Sequence, residues 1–290
     1  MNIVGHDKER AMLGSMVDKD SISLCFTGKE GIGKKKVALE YIAKILGLSN
    51  TQPGEILAHP DVLFIEPENN RITIDKIRQI LQFSSMKSYD GGKKIVLIDD
   101  AHRMNRESQN ALLKILEEPS YQQLFILITS NFQELLSTVQ SRLLVIEFQG
   151  LHREELCAIA GRELSDEMVA LAEGSASLLE RYSACSMEEL HGFASSYIGR
   201  HKDVSFIKEE YALEDFLFYG RYTLKVLEGM LRIHAGGKSE IRDSRKFYVE
   251  KNISPQEMIG KIRALDRAMK EYSGSFNKKL LLAKMMIEGR

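Results

Sequence analysis

The sequence predicts an α/β fold with a five-stranded parallel sheet in its first half and an all-helical second half. Three observations lead there. Short apolar runs alternate with longer amphipathic ones up to residue 150, a glycine-rich loop joins the first run to the first such helix, and strand signals fade beyond Gly150 while helical periodicity continues. Residues 22–27, 62–66, 94–99, 124–129 and 143–148 are mainly aliphatic, β-branched or aromatic, the composition of strands covered on both faces. Helices fill the gaps: 34–46 behind the glycine loop, 74–83 with Ile74, Ile77 and Leu81 on one face, and 106–118 closed by Pro119. Further on, helices are predicted over 153–161, 166–173 and 178–185, then in a stretch from 198 to 290. That stretch includes 213–233 and 276–287, with a polar loop at Gly236-Gly237-Lys238-Ser239 between them. The predicted organisation is a core at 1–150, a small helical module at 151–197 and a helical domain at 198–290. Leu213, Phe216, Leu217, Leu224 and Leu227 lie on apolar faces that fit an internal core or a subunit seam equally.

Composition narrows the function classes. With 43% hydrophobic and 28% charged residues, the chain has an ordinary globular balance and is not expected to be disordered. A formal net charge of −1 gives no strong overall pull on nucleic acid, so any DNA contact is expected to be shared with other chains. Cys25, Cys157 and Cys185 form no C-x-x-C pair, which argues against a disulfide framework and a zinc site and for inert thiols. The stretch MNIVGHDKERAML lacks a basic-then-apolar signal layout, and no apolar run approaches the roughly 18 residues of a membrane span. A cytoplasmic location without membrane contact is expected.

Gly28-Lys29-Glu30-Gly31-Ile32-Gly33-Lys34-Lys35 fits the phosphate-loop pattern G-x-x-x-x-G-K but has lysine where that pattern requires Ser or Thr. A glycine loop between strand and helix aims backbone N–H groups at an anion, and the helix N-terminus adds favourable potential. Gly28, Gly31, Gly33 and Lys34 are therefore candidate phosphate-binding residues. Lys35 removes the hydroxyl that would hold Mg²⁺ and brings a like charge toward the metal, unless it swings out to solvent. The run Ile95-Val96-Leu97-Ile98-Asp99-Asp100-Ala101-His102 delivers two carboxylates at the end of a strand, where open α/β sheets place ligands. Asp99 falls at the metal-side position. Asp100 stands where working ATPases of this type carry a glutamate that polarises the attacking water, and it is one methylene shorter.

Asn110-Ala111-Leu112-Leu113-Lys114-Ile115-Leu116-Glu117-Glu118-Pro119, then Phe125-Ile126-Leu127-Ile128-Thr129-Ser130, then Ser141-Arg142, resembles the signature of the clamp-loader AAA+ family. Ile3-Val4-Gly5, the His59-Pro60-Asp61 turn and Ser275-Phe276-Asn277-Lys278-Lys279-Leu280-Leu281-Leu282 look familial too, so the resemblance spans nearly the whole chain. It implies an AAA+ core, a helical lid and a C-terminal collar that assembles a pentameric loader with delta and gamma/tau subunits. Through that assembly the sliding clamp and primer-template DNA become partners. The same resemblance puts Val4 among the nucleotide-binding positions, Ser130 at sensor 1, and Arg142 where a finger reaches a neighbouring subunit's ATP.

Departures from the family pattern cluster at the chain's own site. Lys35, Asp100 and Ser177, which stands where an ATP-sensing arginine would be, have drifted, whereas Arg142 has not. Leu143 replaces a cysteine, a packing change. The cysteine-rich zinc module that many bacterial loader subunits carry is absent, with only residues 48–58 in its place, so no zinc is expected. The expected cofactor is ATP or ADP with weak or no Mg²⁺. Two functions remain open at this point: an ATPase-poor stator that acts through Arg142, and a gamma/tau-like motor in which Asp100 is the base and Lys35 turns outward. A diverged paralogue serving another assembly is a third.

Overall fold

The computed structural model describes residues 3–19, 21–89, 91–117, 122–199 and 213–271. Two compact units emerge. One holds the residues up to Arg162 with Gly174–Ser177, the other Glu163–Glu173 with the residues from Leu178 on.

In the first unit the elements run α1 (Asp7–Gly14), β1 (Ile22–Thr27), α2 (Lys34–Ile45), α3 (Pro53–Leu57), β2 (Val62–Ile65), α4 (Ile74–Ser85), β3 (Lys94–Ile98), α5 (Arg106–Glu117), β4 (Gln123–Thr129), α6 (Ser137–Gln140), β5 (Leu144–Glu147) and α7 (Arg153–Ala160). The five strands form one parallel sheet in the order β2-β3-β4-β1-β5. Alternate residues along a strand serve opposite faces. In β4, Leu124, Ile126 and Ile128 join Val37, Ala38 and Ile42 of α2, while Phe125 and Leu127 join Ile77 and Ile80 of α4 and Leu112 and Ile115 of α5. Apolar burial on both faces is why these strands read as continuous apolar runs. Because β4 lies between β1 and β3, with Thr27 beside Thr129 and Ile98 beside Leu127, the residues that follow all three strands meet at one end of the sheet.

The predicted strand 22–27 is observed unchanged, and the others shift by a residue at one or both ends. Four helices, α1, α3, α6 and the later Met187–Ile198, go beyond the sequence reading; the first three are too short to establish a 3.6-residue period, and the fourth is missed although it is 12 residues long. Glu118 and Pro119, the expected close of α5, lie outside the described residues.

The second unit contains α8 (Asp166–Ala172), most of α9 (Ala176–Ala184), α10 (Met187–Ile198), α11 (Leu213–His234), α12 (Arg242–Lys251) and α13 (Pro255–Glu271). Phe193, Phe216, Tyr222, Leu227, Met230, Phe247 and Leu265 form its core. Phe216 and Leu227 are thus core residues of this chain, and Leu217 and Leu224 pack partly buried against them. The Leu213 side chain, the helix expected at 276–287 and the motif at 275–282 lie outside the described residues.

Candidate functional site

The loop between β1 and α2 keeps the backbone that a phosphate cradle needs. Gly28, Gly31 and Gly33 have φ of 141°, 74° and 109°, a region L side chains rarely adopt. A Cβ on Gly28 would also stand 2.4 Å from the Phe148 carbonyl oxygen, so that glycine is required by both conformation and space. Gly28→Ala is expected to cost about 2 kcal/mol or more, read as a lower urea midpoint at unchanged m.

Lys34 opens α2 nearly buried, and its ammonium donates to the carbonyls of Gly28 at 2.7 Å and Lys29 at 2.5 Å. Desolvation lowers its pKa, against the pull of Asp100 and Asp99. At the preceding turn His6, with φ 59° and nearly buried, donates from Nε2 to the Ile32 carbonyl at 2.7 Å and sets its ring edge against Phe148. No sequence pattern marks His6 as a support of the loop. Val4 is half-buried two residues earlier.

The segment Gly174–Ser177 lies against the loop. Ser177 N–H donates to Gly31 O at 3.2 Å, and a Cβ on Gly31 would meet Ser175 Oγ at 2.4 Å. Gly174, at φ 78°, anchors the segment, its carbonyl accepting from Leu151 N–H at 2.9 Å. Ser177 therefore stands at the loop without a charge to offer it.

Asp99 and Asp100 follow β3. One Asp99 oxygen accepts from the Asp100 N–H at 3.0 Å, and the other pairs with Lys35 Nζ at 3.1 Å. Lys35 stays beside Asp99 with 39% of its side chain exposed: its ammonium also stands 3.8 Å from a Glu66 carboxylate oxygen and 4.3 Å from the centre of the Phe64 ring. Asp100 is left-handed at φ 46°, and burial, aided by Asp99, raises its carboxyl above the ordinary range. Burial lowers the neighbouring His102, whose Nδ1 lies 3.3 Å from Thr129 Oγ1.

At the end of β4 Ser130 is exposed, while Thr129 is buried and accepts from Asn131 N–H at 3.0 Å. Thr129 Oγ1 is thus the hydroxyl beside the His102 ring. Arg142 stands after α6, its guanidinium donating to Thr138 O at 2.7 Å and pairing with Glu117 at the end of α5. About a third of its side chain is exposed. Leu143 beside it is buried in the α4–α5 side of the core.

A phosphate-loop α/β unit with this strand order, carrying a partly exposed Arg142, invites comparison with known proteins. Residues 6–152 match the family model described as DNA polymerase III, delta subunit. The chain belongs to that family. A DNA polymerase III subunit delta' of Pseudomonas aeruginosa is 32% identical over 186 residues, covering 57% of this chain and 54% of that protein. Its counterpart in Bacillus subtilis is 31% identical over 152 residues, covering 48% and 46%. The chain thus matches about half the length of these family members. The crystal structure of a DNA polymerase III gamma subunit-related protein from Thermotoga maritima superposes with a TM-score of 0.54 at 20% identity, over 97% of this chain and 99% of that one. That likeness establishes the shared fold. Among the described residues, no helix is long and apolar enough to cross a membrane.

Proposed function

We propose that this chain is a delta-prime-like subunit of the DNA polymerase III clamp loader: a stator that hydrolyses little or no ATP, holds the loader together and presents Arg142 to a neighbouring ATPase subunit. One contrast carries the reading. The chain's own site has Lys35 on Asp99, a shortened Asp100 and an uncharged Ser177, whereas Arg142 stands partly exposed just after α6. A guanidinium placed at a neighbour's γ-phosphate stabilises charge that develops in the transition state. Here Glu117 and the Thr138 carbonyl would hold that guanidinium extended before it meets a partner.

On this reading, ATP or ADP would be held by Gly28, Gly31, Gly33 and Lys34, close to Val4 and Ser130, as a structural ligand. Residues 1–150 act as the AAA+ core, 151–197 as lid and 198–290 as collar. The partners are the delta and gamma/tau subunits and, through the assembled loader, the sliding clamp and primer-template DNA. The setting is the cytoplasm. The gamma/tau-like motor keeps support from the intact Lys34 and Asp99, but it requires Lys35 to leave Asp99, with which it pairs at 3.1 Å. Mixing the full chain with purified delta and gamma/tau subunits should give one hetero-oligomer by native mass spectrometry. Failure to associate overturns the proposal in favour of a paralogue serving another assembly.

A further inference from the structure

The seat that Mg²⁺ takes in a metal-using phosphate loop does not fit such an ion in this chain. Mg²⁺ asks for oxygen ligands in a near-octahedral shell, of which a loop hydroxyl supplies one and the strand aspartate orients others. At the hydroxyl position this chain has Lys35, whose charged ammonium has three donors and no acceptor and so cannot be a ligand. Geometry goes further than the missing ligand. Lys35 comes from the first turn of α2, yet its Nζ is engaged by Asp99 after β3 at 3.1 Å, by Glu66 after β2 at 3.8 Å and by the face of Phe64 in β2 at 4.3 Å. Both Asp99 oxygens are already used, the second by the Asp100 N–H at 3.0 Å. Lys34 is committed elsewhere, to the Gly28 and Lys29 carbonyls, so the two lysines do not compete for one place.

We infer that the Lys35 ammonium is a tethered cation in the place of Mg²⁺: it neutralises Asp99, ties α2 to the ends of β2 and β3, and keeps divalent metal out of the loop. A nucleoside diphosphate or triphosphate entering the loop meets a covalently fixed positive charge there, and its binding is independent of divalent metal. The inference deepens the reading of the site as hydrolysis-poor and rests on that reading only in taking Asp99 as the metal-side aspartate.

The test uses the full chain and Mn²⁺, a paramagnetic substitute for Mg²⁺, titrated with and without saturating ADP and followed by electron paramagnetic resonance. Wild type is expected to give no Asp99-dependent Mn²⁺ binding in either arm. Lys35→Thr and Lys35→Ser, which restore the hydroxyl and remove the charge, are expected to gain Mn²⁺ affinity by at least tenfold in the ADP arm, and Asp99→Asn in those backgrounds to abolish the gain. Mn²⁺ bound by wild type and lost in Asp99→Asn overturns the inference, as does the absence of any gain in both Lys35 variants when thermal unfolding shows them folded. Subunit assembly, measured separately, reports on the stator reading alone, so failure of one is distinguishable from failure of the other.

Discussion

Arg142→Ala is expected to lower the ATP hydrolysis of the neighbouring loader subunit by roughly 10³-fold or more, about 4 kcal/mol of barrier, while leaving this chain folded. The magnitude follows from what a finger does: a delocalised, always-charged guanidinium meets charge spread over the equatorial phosphoryl oxygens, and alanine offers nothing there. The sparing of the fold follows from the local geometry. Arg142 is partly exposed, and its partners are Glu117, itself half-exposed, together with the Thr138 carbonyl and the Ser141 hydroxyl. An ion pair so placed contributes about 0 to 1 kcal/mol to stability. Arg142→Lys should restore little of the rate, because a point charge cannot reproduce the planar fork. Steady-state hydrolysis by the reconstituted complex, alongside thermal unfolding of the isolated variant, checks both halves.

Phe125→Ala has the largest expected effect on stability, a loss of about 3 to 5 kcal/mol. Phe125 sits in β4, the middle strand of the sheet, fully buried, among Val96, Leu127, Ile77, Leu112 and Ile115 on the face covered by α4 and α5. Deleting the ring removes apolar contact in a layer whose regular elements leave it little room to collapse, so the transfer loss and the cavity loss add. Phe125→Leu should cost under about 1.5 kcal/mol. Urea unfolding of the two variants at constant m separates cavity formation from any change in the denatured state.

The sheet was legible because its strands are buried on both faces and so carry long apolar runs. Departures sit where that logic weakens. Gln123 begins β4 as a buried residue, its amide satisfied by the Ser84 hydroxyl at 2.5 Å, a pairing across 39 positions that no local pattern announces. At β5, Leu143 and Phe148 flank the strand as buried apolar residues, so the apolar run there overstates the strand by a residue at each end. The loop glycines, Lys34 and Asp99 were readable, since a motif with fixed spacing puts them beside one another in chain or sheet. Whether Lys35 paired with Asp99 or turned to solvent was not, because Phe64 in β2 and Glu66 just after it, which flank its ammonium, lie about thirty residues away. His6 gave no signal, as a lone histidine before a short helix has no spacing to read.

The central claim is that the chain contributes little or no hydrolysis through its own loop and a great deal through Arg142. The most direct test is DNA- and clamp-stimulated ATP hydrolysis by the reconstituted loader carrying Lys34→Ala or Arg142→Ala in this subunit alone, compared side by side with wild type. The account predicts near-wild-type turnover with Lys34→Ala and loss of most of the stimulation with Arg142→Ala. The reverse pattern, with Lys34→Ala abolishing hydrolysis and Arg142→Ala leaving it intact, would contradict it and identify the chain as a motor in its own right.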